Sequence, residues 1–229
     1  MPGVQPHRRH FAYGPCLVLT LLCWATVLGC GRRAHVRVIE TDRNTENGRA
    51  FELVEPGSLQ TNGHAIWGTG SIVFAEPLPD IFGDNQYRFA LRLAPGASAA
   101  LVTHADAGLG GGLELGFERP DATSGLHAEL RSTMATHDVS DAFEDLSDDG
   151  TLTLRVDVSN PASGTPRVLV WNVSPGSDPS SLSEPLLDTA ERQLVLEPPQ
   201  GPRWGFHLRN AAVIEPLRES GIAALGDDE

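Results

Sequence analysis

Between Thr151 and Val158 aliphatic and polar residues alternate: Leu152, Leu154, Val156 and Val158 fall on one side, Thr151, Thr153, Arg155 and Asp157 on the other. A period of two predicts a β-strand with one face in a core and one in water. A Pro/Gly/Ser loop over residues 160–166 leads to Arg167–Asn172, where Val168 and Val170 share one face and Leu169 and Trp171 the other. That pattern predicts an antiparallel partner strand covered on both sides.

The same signals recur along the chain. Residues 36–40, 51–55, 65–75, 86–93, 99–103, 113–119, 126–133, 192–196 and 203–214 are candidate strands, set apart by Pro-Gly, Gly-Thr-Gly and Pro-Leu-Pro-Asp punctuation. Helical spacing shows mainly in the acid-rich stretch 136–150, where Val139, Phe143 and Leu146 predict a short turn laid on the domain. Ten or so short strands with almost no helical periodicity predict an all-β fold, an antiparallel β-sandwich or jelly roll. We place that domain at residues 50–217, preceded by a polar tether over 30–49 and followed by an acidic tail over 218–229.

The N-terminus carries a different signal. Arg8 and Arg9 precede an uncharged apolar run over residues 11–28, the arrangement of a secretory n-region and h-region over 1–29. Val27-Leu28-Gly29-Cys30 then resembles a bacterial lipobox, with an aliphatic residue three before the cysteine and a small one just before it. The resemblance implies cleavage between Gly29 and Cys30 and acylation of Cys30, palmitate included, so that the lipid bilayer is the first partner. Gly31, where an aspartate would signal inner-membrane retention, implies export to the outer membrane of the cell envelope. An uncleaved transmembrane anchor stays open, because 18 apolar residues lie near the lower limit for a span; so does plain secretion.

Cysteine usage fits acylation. Of three cysteines, Cys16 and Cys23 lie in the segment to be removed, which leaves Cys30 alone and no intrachain disulfide. All 17 basic residues are arginine, so Schiff-base and Walker-lysine chemistry are excluded. Against them stand 30 acids, a formal net charge of −13. Such a surface repels polyanions, which argues against nucleic acid and anionic headgroups as partners.

Three segments, GLELGFERPDATSGLHAELRS (112–132), DDGTLTLRVDVSNPASGTPRVLVWN (148–172) and WGFHLRNAAV (204–213), resemble the concanavalin A-like lectin/glucanase superfamily and its laminin-G-like members. The resemblance implies two curved sheets, the concave one binding glycans or protein partners, with calcium at the rim in some members. Its laminarinase-type glycoside hydrolases carry two glutamates with an aspartate between them on one strand face. The matching residues are Glu114 and Glu118, as nucleophile and acid/base, with Gly116 in place of the aspartate. The bland reading of both is solvent-face charge opposite Leu113, Leu115 and Phe117.

Other chemistry has thinner support. Asp141, Glu144, Asp145, Asp148 and Asp149 could offer calcium several carboxylate oxygens, but their spacing matches no EF-hand, and a solvated loop explains them as well. Calcium is therefore the one cofactor left open. The glycine cluster 108–112 precedes a strand rather than a helix and reads as a hairpin turn, not a phosphate cradle. His104 and Asp106 are the nearest approach to a metal pair and lack a third ligand. No GxSxG or HExxH motif is present. Among the aromatics, Trp171 and Trp204 are expected in the core and Trp67 is the best candidate for a ligand platform. The expectation is an envelope-anchored binding module for a glycan or another envelope protein; a glycoside hydrolase and a structural accessory lipoprotein without small ligand are the alternatives.

Overall fold

The computed structural model describes residues 36–40, 50–62, 64–144, 146, 150–173 and 184–220. Within them lie β1 Val36–Glu40, β2 Ala50–Thr61, β3 Ala65–Phe74, β4 Asp84–Ala105, β5 Leu113–Arg119, β6 His127–Arg131, β7 Thr136–Asp138, β8 Thr151–Ser159, β9 Arg167–Asn172, β10 Leu187–Asp188 and β11 Arg203–Ser220. A 3₁₀ turn, Ser140–Phe143, follows β7. The strands pair antiparallel throughout.

Four strands are long because each belongs to two layers. β4 pairs with β8 over residues 84–92 and with β5 over 97–103; between them Ala94, Pro95 and Gly96 are exposed. β11 follows it, with a register shift between Arg209 and Ala211. β2 and β3 bend at the same level, where β2 shifts register between Val54 and Ser58. Gly68 marks the corner of β3: its φ is +122°, and a Cβ there would lie 2.2 Å from Ser58 O. Only glycine tolerates that backbone at that distance. Asn210, at φ 53°, is pinned to the corner by its N–H, which donates to Thr69 Oγ1 at 3.1 Å.

The bends divide the sheet into two facing layers. The first runs β1, β2, β3, β11, β4, β5, β6, β7, using residues 97–105 of β4 and 203–209 of β11. The second uses residues 58–61 of β2, 65–68 of β3, 84–93 of β4 and 211–220 of β11, extended by β8, β9 and β10. Alternation sends one face of each layer inward, so that Leu91, Leu152, Leu154, Val156, Val170 and Val213 meet Phe51, Ile72, Leu101, Leu115, Phe117 and Phe206 in one buried cluster. Trp204 is fully buried, stacked on Phe74 with ring centroids 3.9 Å apart. Phe89 of the second layer meets Phe206 of the first edge-on at 5.1 Å. The expected all-β antiparallel sandwich is the fold.

Several local expectations need correction. The candidate strands 86–93 and 99–103 are halves of one bent strand, because Pro95 and Gly96 turn the chain without ending it. β1 is the strand expected at 36–40, and it pairs with β2 rather than standing apart in the tether. β11 runs through Pro216 to Ser220, past the expected domain boundary at 217. Residues 192–196 form no strand: Gln193 has φ 54°, and Val195 is held from the side by His137 Nε2, 3.0 Å from its carbonyl, rather than by a ladder. The helical turn is a 3₁₀ turn, yet Val139 and Phe143 are buried as expected, with Phe143 edge-on to Phe117 at 5.1 Å.

Candidate functional site

The outer face of the first layer is polar because its inner face is not. β5 buries Leu113, Leu115 and Phe117 and so turns Glu114, Gly116 and Glu118 outward; β6 buries Ala128 and Leu130 and turns out His127, Glu129 and Arg131. The hairpin register sets Glu114 opposite Arg131, Gly116 opposite Glu129 and Glu118 opposite His127. On the other side of β5, β4 places Ser98 beside Glu118 and Ala100 beside Gly116. Beyond β4, β11 adds Arg209 beside Ser98 and His207 beside Ala100. Together these residues line a shallow cleft of ≈ 240 Å³.

Its charged groups hold one another in fixed orientations. Arg209 Nη2 donates to Glu118 Oε1 at 2.7 Å. Arg131 Nε donates to Glu129 Oε2 at 2.9 Å, Nη2 donates to the same oxygen, and Nη1 lies 3.6 Å from Glu114 Oε1. The bond to Glu129 raises the Arg131 pKa. His127 bridges Ser140 Oγ, 2.8 Å from Nδ1, and Glu129 Oε1, 3.3 Å from Nε2. His207 Nδ1 is 2.7 Å from Ser71 Oγ; burial pushes its pKa down, with the Glu114 carboxylate pulling the other way. Partly exposed ion pairs contribute under about 1 kcal/mol each to stability. Their effect is to orient planar donors and acceptors on a rigid sheet.

The structure brings Glu114 and Glu118 into this one cleft, on either side of Gly116. Trp67 lies elsewhere, half-buried on β3 with Gln60 and Ala212 as ladder neighbours. Trp171 is half-buried rather than in the core, with the Arg155 guanidinium 4.8 Å from its ring centroid. Both carboxylate oxygens of Asp141 accept from Arg192 Nη1, at 2.8 and 2.9 Å, which lowers the Asp141 pKa. Asp145, Asp148 and Asp149 lie outside the described residues, as do Gly29 and Cys30. Among the described residues no three His, Cys, Asp or Glu side chains are grouped to hold a metal ion.

His104 and Asp106 do not form a pair. His104 is fully buried with Nδ1 3.0 Å from Thr103 Oγ1, whereas Asp106 Oδ1 accepts from the Gly108 and Gly110 amides at 2.7 and 2.8 Å. The glycine cluster is thus a capped hairpin loop between β4 and β5. Sequence reasoning missed His127, Glu129, Arg131, His207 and Arg209 as site residues. The signal for the first three was the polar half of an alternation already recognised, with Arg131 falling opposite Glu114 once the hairpin is closed.

No protein-family profile matches the chain. No curated protein sequence matches it either. Among solved structures, a carbohydrate-binding module from Bacillus subtilis aligns over 82% of this chain and 96% of its own, with 12% identity and a TM-score of 0.41. A cellulose-induced protein aligns over 86% and 91%, with 15% identity and a TM-score of 0.39. An endo-β-1,4-glucuronan lyase from the fungus Trichoderma reesei aligns over 86% and 92%, with 9% identity and a TM-score of 0.36. These are likenesses of overall form.

Proposed function

We propose that this chain is a lipid-anchored module of the bacterial cell envelope that binds a glycan in the cleft of its first layer. The observation that carries the binding half is the cleft's lining, where guanidiniums and carboxylates are locked in pairs above a floor of small residues. Sugar hydroxyls both donate and accept hydrogen bonds, and planar charged groups of fixed orientation serve both needs. Arg8, Arg9, the apolar run and Val27-Leu28-Gly29-Cys30 support the address, with acylated Cys30 as the anchor and the outer membrane as the destination.

Two measurements test this reading. Palmitate labelling with intact-mass analysis should show a mature N-terminus at modified Cys30, with the label lost in Cys30→Ala; a full-length, unlabelled wild type would remove the lipid anchor. An envelope-polysaccharide array probed with the full-length, detergent-extracted protein should yield a ligand that is lost in Arg209→Ala. An array without binding would favour a structural accessory role. A glycoside hydrolase is the second reading, favoured by the placement of Glu114 and Glu118 in the same cleft. Glu114→Gln and Glu118→Gln should abolish product release if there is hydrolysis and leave the ligand unaltered in both variants and wild type if there is binding alone.

A further inference from the structure

Gly116 occupies the centre of the cleft, and the fold gives it no reason to be glycine. Its φ is not positive. An added Cβ would come no closer than 3.8 Å to Ala100 Cβ and Glu129 O and 3.9 Å to Glu114 Oε1, all ordinary contacts. Glycine within a strand loses packing and backbone order, and it marks places where another body comes close to the backbone. Here the space above it opens into the cleft.

With Ala100 next to it on the ladder, Gly116 makes a floor two residues wide. Glu114 and Glu118 stand two residues away in either direction along β5, Glu129 stands across the ladder on one side, and His207 stands beyond Ala100 on the other. Strands lie about 4.8 Å apart and same-face residues about 6.7 Å apart, so the floor has the area of a single pyranose ring. His207 has a polar atom to offer it. Ser71 holds Nδ1, which sets the ring's orientation and leaves Nε2 as the ring nitrogen on hand for the cleft that His207 lines.

Charge then selects the sugar. Three carboxylates, Glu114, Glu118 and Glu129, surround the floor against two guanidiniums, each already paired with one of them, which leaves the cleft with an excess of negative charge. Carboxylates accept from hydroxyls and repel another carboxylate. We infer that Gly116 and Ala100 floor a subsite for one uncharged pyranose ring, read by His207 Nε2 and the rim carboxylates, from which uronate residues are excluded. This inference rests on the glycan reading above.

Calorimetric titration of the full-length, detergent-extracted protein tests it, using glucan, mannan and galactan hexamers against a galacturonate hexamer. Wild type should bind a neutral hexamer at least roughly tenfold more tightly than the uronate, the worth of one well-placed polar contact. Gly116→Val should lose roughly tenfold or more in affinity with its thermal midpoint retained; Gly116→Ala, with a single added methyl, should show a smaller loss in the same direction and guards against a disturbed ladder. His207→Ala should weaken binding, and His207→Gln should restore part of it through its amide. Equal binding of the uronate, or neutral binding unchanged in both Gly116 variants, would overturn the subsite and leave the glycan reading standing. No hexamer bound by wild type would overturn both.

Discussion

Tyr87 and Thr103 lie on one strand, sixteen residues apart, and their hydroxyls share a hydrogen bond across the core. The contact exists because β4 bends at residues 94–96 and passes back over itself in the other layer. Thr103 also holds His104, and the Tyr87 ring leans on Trp204 with centroids 5.4 Å apart. A line of polar atoms thus crosses an apolar interior, where a lost partner is not replaced by bulk water. Burial pushes the Tyr87 hydroxyl pKa well above its usual range and the His104 pKa down to about 4.

Tyr87→Phe should lower stability by about 1 kcal/mol, because Thr103 keeps His104 as a partner. Thr103→Val should cost more, about 3 kcal/mol, since it strands the Tyr87 hydroxyl and His104 Nδ1 together. Urea midpoints at pH 7 decide the order. Equal losses would mean that Thr103 does not link the two.

Acid should weaken the fold before its carboxylates titrate. Unfolded His104 takes a proton near pH 6.5 and folded His104 only near 4, so the unfolded state binds more protons between those values. Stability is therefore full above about pH 6.5 and declines by roughly 3 kcal/mol toward pH 4. His207, lowered by burial, adds to the same slope. Asp138, Asp141, Asp188 and Glu197, all held low by hydrogen bonds, lose their contribution only as pH falls further. Unfolding free energies at pH 7 and pH 4.5 should differ in wild type, and a flat profile would contradict the burial of a neutral His104.

Two glycines should respond in opposite ways to alanine. At Gly116 the Cβ has room, so Gly116→Ala should raise stability by about 0.5 kcal/mol while filling the cleft floor. At Gly68 the Cβ would strike Ser58 O at a φ of +122°, so Gly68→Ala should destabilise by roughly 3 kcal/mol or more. Thermal unfolding of the two variants side by side reads the contrast.

The ion pairs of the cleft should matter for ligand and hardly for folding. Arg209 and Glu118 are 55% and 44% exposed, which limits their pair to less than about 1 kcal/mol. Arg209→Ala should keep its unfolding midpoint within a few degrees and lose glycan binding. A large drop in stability would recast the pair as structural.

Much of the sandwich was legible because alternation alone marks a half-buried strand: Leu152 to Val158 and Leu113 to Phe117 are buried at every second position. What stayed hidden was non-local. Nothing between residues 86 and 103 says that a Pro-Gly interruption bends a strand instead of ending it, because the answer depends on β11 bending beside it. Residues 192–196 carry the aliphatics of a strand, Leu194, Val195 and Leu196, yet the amides of Arg192, Gln193 and Leu194 bond back to Asp188, Ala190 and Thr189 in a local turn. Glu114 and Glu118 were found from β5 alone, whereas His207 and Arg209 enter the cleft from a strand some ninety residues later, through a register that only the folded ladder supplies.

The row of bends at Gly68, Asn210 and Pro95–Gly96 has a consequence for how the protein opens. In a sandwich whose layers are joined by loops, one layer can fray while the other holds. Here β3, β4 and β11 carry their backbones across the corner without a break, so neither layer is a separate cooperative unit. Amide exchange should therefore slow in both layers when either is clamped, and a molecule gripped over β5 would be registered in the protection of β8 on the far side.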